Sequence, residues 1–171
     1  MATYQRFEDL PVWQAAARLY DEIDDFLERA PARLRPSFRD QLERATLSVS
    51  NNIAEGFERG TTNELLSFLY IARGSAGEVR SMLLVLQRRP WLPASPKALL
   101  PGIITLAEAC SRQLRAWADS LQNSEITGTR HLNDKTRGDY FKREARRQGA
   151  EHFRQLLREH LPPGHPARPA E

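Results

Sequence analysis

Ser48, Asn52, Glu55 and Arg59 recur at three- and four-residue spacing through "SVSNNIAEGFERG", residues 48–60. On a helix turning 100° per residue they fall within about 60° of one another. They flank an apolar arc of Ala45, Val49, Ile53 and Gly56. Their chemistry is hydrogen bonding and ion pairing, and Glu55 four residues before Arg59 is the favourable order for a helical pair. With no histidine nearby in the sequence, acid–base catalysis is a poor fit. A seam of this kind instead hydrogen-bonds a neighbouring helix and fixes its register. Ser75 and Glu78, in "FLYIARGSAGEV", are the expected partners, and a ligand or nucleic-acid site is the competing reading.

Other residue sets with chemical potential are weaker. "GSAGE" lacks the lysine of a phosphate loop and sits inside a helical pattern. His131, His152, His160 and His165 match no compact zinc spacing and have no cysteine partners. Cys110 lies among Ile103, Ile104, Leu106, Ala107 and Leu114, as a buried structural thiol would. The reading is a protein that is not an enzyme and uses no cofactor or metal.

Arginine offers more. It supplies 22 of the 25 basic residues, and its planar guanidinium suits phosphate. Arg29, Arg33, Arg35 and Arg39 surround one connection, and Arg88 and Arg89 precede another. Lys142, Arg143, Arg146, Arg147, Arg154 and Arg158 follow in the last third, interleaved with Tyr140, Phe141 and Phe153. Cations with aromatics are the composition of a nucleic-acid surface. A solvated helix face and a membrane surface are the alternatives. Trp13, Trp91 and Trp117 are either stacking platforms for bases or packing residues, and two of them belong to apolar stripes.

Four apolar stripes of helical period position these residues. The first follows Asp9, the expected N-cap, and Pro11; it carries Val12, Ala16, Leu19, Tyr20, Ile23 and either Phe26 or Leu27. The second opens near Ser37 and carries Phe38, Leu42, Ala45, Val49, Asn52, Ile53 and Gly56. Gly60 is expected at its C-terminal cap. Thr61 and Glu64 form a capping box for the third, which runs to about Arg88 through Leu65, Phe68, Leu69, Ala72, Ala76, Val79, Leu83 and Leu86. Ser95 and Pro96 are expected to start the fourth. Pro101 must kink that helix or delay it, before Ile104, Ala107, Leu114, Trp117 and Leu121. Gly56, Gly74 and Gly77 are expected to let helices approach closely. Short connections make sequential helices antiparallel neighbours. The expected fold is all-α: an up-down-up-down four-helix bundle over residues 1–123. A C-terminal extension follows over 124–171. Its "NSEITGTRHLNDKTRGD" reads as a loop, and a fifth amphipathic helix interrupted at Gly149 comes next. "PPGHPARPAE" reads as a disordered end. In such a bundle the first and third connections share one end, which would gather their arginines and Lys97 into a basic rim.

"FEDLPVWQAAARL", "RDQLERATLSVSNNIAEGFERGT" and "FLYIARGSAGEV" resemble the four-helix bundle protein family associated with 23S ribosomal RNA intervening sequences. The match falls on Phe7, Leu10, Val12 and Trp13, then on Gln41, Leu42, Arg44, Ala45, Ser48, Asn52, Ile53, Ala54, Glu55 and Gly56. It ends on Phe68, Leu69, Ile71, Ala72, Gly74, Ser75 and Glu78. The resemblance implies a four-helix bundle assembled into a ring-like homo-oligomer, typically a pentamer. It extends to the accessory proteins of diversity-generating retroelements, which implies nucleic acid and a reverse transcriptase as partners. The tail after about residue 123 has no counterpart in that pattern.

Composition sets the remaining bounds. With 40% apolar and 27% charged residues the chain is globular rather than disordered. No apolar run is long enough to span a bilayer, the first residues lack a signal peptide's apolar core, and a single cysteine fits a reducing compartment. The expected setting is cytoplasmic, without a membrane partner. The charge of +3 is concentrated in the tail: residues 1–123 hold 15 basic and 15 acidic side chains, residues 124–171 hold 10 and 7. The function expected from all this is a non-enzymatic, oligomeric bundle that binds structured RNA or other nucleic acid, as an accessory subunit. The alternative is a protein-interaction scaffold whose ring presents its tails to a partner enzyme.

Overall fold

The computed structural model describes residues 4–123 and the backbone of 134–160. Among the described residues there are five α-helices and no strand: α1 Pro11–Arg29, α2 Pro36–Glu58, α3 Thr62–Gln87, α4 Ala94–Gln122 and α5 Asp134–His160. The chain divides into two compact units, Met1–Thr129 and Arg130–Glu171.

In the first unit each helix buries one stripe. Ala16, Leu19, Ile23 and Phe26 of α1 meet Leu42, Val49 and Ile53 of α2, with Leu69, Ala72, Ala76, Val79 and Leu83 of α3 and Leu100, Ile103, Ala107 and Leu114 of α4 in the same core. Sealing one such leucine from water stabilises by roughly 1.5–3 kcal/mol. Helix α1 packs on α2 and α4, and α3 packs on α2 and α4; the backbones of α1 and α3, and of α2 and α4, stay more than 8 Å apart between Cα atoms. Four helices in a closed cycle of neighbours, with empty diagonals, form a square around one core.

Helix termini depart from expectation in four places. Asp9 does not cap α1: it belongs to a 3-10 turn, Phe7–Asp9, and the extended Leu10 takes the cap position without a side-chain bond. Leu10 is buried, so an apolar anchor and Pro11 at the first position set the start of α1. Helix α2 begins at Pro36, preceded by Arg35. Gly60 adopts no left-handed conformation, because the extended Arg59 and Thr61 carry the chain directly from α2 into α3. Helix α4 starts at Ala94 behind Pro93, whose ring fixes φ, so Ser95 falls inside the first turn and caps nothing. Pro101 does not delay α4, which passes through it. Its missing N–H costs a helix bond, and the complete burial of Leu100 and Ile103 beside it offsets that loss. The buried stripe of α4 runs through Leu100, Ile103, Ala107, Cys110, Leu114 and Ala118, leaving Ile104, Trp117 and Leu121 only partly covered.

The capping box of α3 forms by half. The Glu64 backbone N–H donates to Thr61 Oγ1 at 3.2 Å, while the Thr61 hydroxyl donates to Glu64 Oε2 at 2.8 Å. In the second unit α5 runs unbroken through Gly149 and begins at Asp134, so residues 134–139 are helical rather than loop. The expected loop over 124–133, the expected disordered end, His131 and His165 lie outside the described residues.

Candidate nucleic-acid interface

At one end of the first unit, the α1–α2 connection (residues 30–35) meets the α3–α4 connection (residues 88–93). The guanidinium carbon of Arg33 lies 5.5 Å from the centre of the Trp91 ring, a cation–π contact joining the two segments. Leu34 and Leu92, both buried, pin the segments to the core. Arg33, Arg35, Arg88 and Arg89 are exposed, and among the described residues no carboxylate pairs with them. Arg29, also exposed, has Asp25 at 3.6 Å. Helices α2 and α4 both start at this end without side-chain caps. Their first-turn N–H groups and aligned dipoles add positive potential to that of the arginines.

Arg39 differs from its neighbours. It is half-buried, and its guanidinium donates to Leu27 O and Ala30 O at 2.7 Å, Pro31 O at 3.2 Å and Leu34 O at 3.3 Å. Leu27 O and Pro31 O already accept the backbone N–H of Ala30 and of Leu34; Arg39 adds a second donor to each and reaches Ala30 O and Leu34 O as well. Arg39 therefore clamps the connection and has little donor capacity left for phosphate. A lone arginine three residues after a helix-starting proline gave no hint of this. The signal that exists is indirect: the last turn of α1 has no other side-chain cap.

The seam on α2 resolves into three groups: Ser48, Asn52 and Ser75 are half-buried, while Glu55, Arg59 and Glu78 are exposed. Asn52 Nδ2 donates to Ser48 O at 2.6 Å and Ser48 Oγ at 3.0 Å. Ser48 Oγ lies 2.9 Å from Ser75 Oγ, and the Ser75 hydroxyl donates to Ile71 O at 3.1 Å. Each hydroxyl has one proton, so the direction follows: Asn52 to Ser48, Ser48 to Ser75, Ser75 to the α3 backbone. Ser48, Asn52 and Ser75 are thus brought together. Glu78 instead accepts from Gln41 Nε2 at 2.6 Å, and Gln41 accepts from Arg44 at 2.9 Å. The sequence reading missed Gln41 as Glu78's partner, although it precedes Ser48 by seven residues on the same face. Arg59 pairs with Glu55 at 2.5 Å and with Glu64 at 4.0 Å, and its guanidinium lies 5.2 Å from the centre of the Phe68 ring. The hydrogen bond that Arg59 donates to Glu55 is the main influence holding Arg59 above the usual arginine pKa.

At Gly56 α2 lies close against α3: a Cβ there would lie 2.7 Å from Phe68 Cβ and 3.2 Å from Leu65 Cδ1. Gly74 and Gly77 bring no helices together, contrary to expectation, because they face open space on the outer side of α3. That side also exposes Tyr70, Ile71, Leu84 and Val85. An open groove of about 350 Å³ runs along it, lined by Gly77, Arg80, Ser81, Leu84, Val85 and Arg88.

On α5, Lys142, Arg146, Arg147, Arg154 and Arg158 are exposed; the Arg143 side chain lies outside the described residues. Arg147, Arg154 and Arg158 share one side of the helix at its 100° step, within about 40°. Lys142 and Arg146 fall on the side of Phe153, which is 60% exposed, so the tail's cations do not form one stripe. Trp13 packs edge-on to Phe7 at 5.4 Å, and Trp117 packs against the core. Among the described residues no His, Cys, Asp and Glu side chains gather into a metal site, and no helix is long and apolar enough to cross a membrane. Burial pushes the Cys110 thiol up to about 11 from 9.0, away from nucleophilic use.

A family model described as "23S rRNA-intervening sequence protein" matches residues 8–115, more than half of the chain. No curated protein matches it.

Proposed function

The chain belongs to the 23S rRNA-intervening sequence protein family, and from that premise we propose that it is a non-enzymatic, cytoplasmic bundle protein that binds structured RNA or other nucleic acid. The observation that carries this reading is the Arg33–Trp91 contact. It joins two connections into a single end on which Arg33, Arg35, Arg88 and Arg89 are exposed, with no carboxylate partner among the described residues. Two uncapped helix starts reinforce the charge. Such a surface contacts phosphate and shape rather than base edges.

The helices run antiparallel in this reading, up-down-up-down. The pairings of Gln41 with Glu78, Ser48 with Ser75 and Gly56 with Phe68 support it, since partners descend along α3 as α2 ascends. The protein assembles as a ring-like homo-oligomer, a pentamer as the resemblance implies. The outer side of α3, with Ile71 51% and Tyr70 43% exposed, is the surface that self-association would cover. A ring repeats the basic end once per subunit and converts modest charge into avidity. A reverse transcriptase or other protein partner completes the accessory role.

Affinity for an RNA hairpin measured across salt tests the reading. Each phosphate contact steepens the slope by about 0.9 on log axes, so four to six contacts give a decline of several powers. Arg88→Glu with Arg89→Glu should flatten it. Weak binding at low salt with no slope would overturn the proposal. The second reading, a scaffold presenting its tails to a partner enzyme, is favoured by the exposure of Phe153 on α5. Phe153→Asp would then abolish partner capture and leave RNA affinity unchanged.

A further inference from the structure

We propose that Trp91 is a stacking platform for an unpaired nucleobase and that Arg33 is its exchangeable cover; the inference rests on the nucleic-acid reading of the same basic end. Trp91 is the one described tryptophan placed on a connection rather than on a helix or against a neighbouring ring. Its lower side packs on the core, which holds the indole still. Its upper face carries the Arg33 guanidinium at 5.5 Å. Arg33 is exposed and makes no ion pair among the described residues, so only the ring holds it there.

A planar cation over a ring marks a face that accepts another planar group. A nucleobase presents a larger stacking surface than a guanidinium and gains more from the indole than an exposed cation–π contact does. A base can therefore replace the guanidinium or lie on top of it. In either case Arg33 stays beside the phosphate of the stacked nucleotide. Arg88 and Arg89 precede Trp91 by three and two residues, and Arg35 follows Arg33 by two. Cations thus flank the ring on both connections, in position to follow the backbone to either side of one base. A paired base cannot reach the indole, because its faces are occupied in the duplex. The site should accordingly select unpaired positions: loops, bulges or single strands.

The test uses the full chain with a single-stranded oligouridylate and an RNA duplex of equal length. Single strand should quench tryptophan fluorescence, and the quench should vanish in Trp91→Phe. Trp91→Leu should weaken single-strand binding by roughly tenfold, with Trp91→Phe recovering most of it and duplex affinity unchanged in both. Arg33→Gln should keep the quench while lowering the salt slope by about one contact. Phenylalanine preserves the packing, so the comparison stands if the leucine variant fails to fold. A quench that persists in Trp91→Phe, or equal single-strand affinity in all three proteins, overturns the platform. If Arg88→Glu with Arg89→Glu still abolishes binding in that case, the basic end survives as a phosphate site and only the base contact is lost. If neither RNA binds at all, both readings fall.

Discussion

At Gly56 a single hydrogen atom decides how near α2 can come to α3. A methyl group there would stand 2.7 Å from Phe68 Cβ, an atom fixed to the α3 backbone that cannot swing aside. Alanine gains about 1 kcal/mol of helix propensity over glycine, but overpacking typically costs about 1–3 kcal/mol. Gly56→Ala should be destabilised on balance, by up to about 2 kcal/mol in urea denaturation. Gly102 of α4 has nothing within 4 Å of its would-be Cβ, so Gly102→Ala should gain about 0.5–1 kcal/mol. If both variants gained, the close approach would be wrong. Cys110 offers a second test at the same scale. Burial raises its pKa from 9.0 to about 11, so the folded protein holds its proton where the unfolded chain has released it. Stability from this group is therefore present below about pH 9 and lost as pH rises towards about 11. A thiol reagent at pH 8 should leave the native protein unmodified and label it fully in denaturant.

The α1–α2 connection is built around Arg39, which serves as the missing C-terminal cap of α1. Its four carbonyl acceptors lie on Leu27, Ala30, Pro31 and Leu34. Only a planar fork reaches several of them at once; a lysine ammonium cannot. Arg39→Ala should cost roughly 1–3 kcal/mol, and Arg39→Lys should recover less than half of it in the same urea titration. Under folded conditions neither variant should change the salt slope of RNA binding, which separates Arg39 from Arg88 and Arg89. The element also illustrates what the sequence disclosed. Helical periods placed all four helices of the first unit, because Leu42, Val49 and Ile53 or Leu69, Ala76 and Leu83 carry a signal that burial alone demands. The polar seam was legible for the same reason: Ser48 and Asn52 interrupt an apolar arc. The role of Arg39 was not, since arginines at a connection look alike until the carbonyls they meet are fixed in space. Nor was the start of α1, where burial of Leu10 outweighed the capping preference of Asp9. Gly74 and Gly77 misled because a glycine in a helix signals closeness without saying to what.

Considered as a whole molecule, the chain has two surfaces to which the proposed function gives different parts. The first unit carries as many acidic as basic residues through 123, so under that proposal net charge would supply no attraction to RNA and only arrangement would. The basic end concentrates arginines that, Arg29 apart, have no ion pair among the described residues, while the outer side of α3 exposes Tyr70, Ile71, Leu84 and Val85 around two glycines. Arg88 lines the groove on that side and belongs to the basic end as well, so assembly along α3 would place the ends of adjacent subunits side by side. Affinity should then depend on assembly even where no contact residue changes. Ile71→Asp with Leu84→Asp puts two charges on the apolar surface and, in light scattering, should reduce the particle to the mass of one chain. Its urea stability should be preserved, because neither side chain is in the core. RNA affinity per chain should fall by about tenfold or more as avidity is lost, with a shallower salt slope. Arg88→Glu with Arg89→Glu should do the reverse, keeping the assembled mass while abolishing binding. Were the aspartate variant to stay assembled, α3 would not be the subunit contact. Were it monomeric with undiminished affinity, each basic end would act alone, and the ring would have no part in RNA binding.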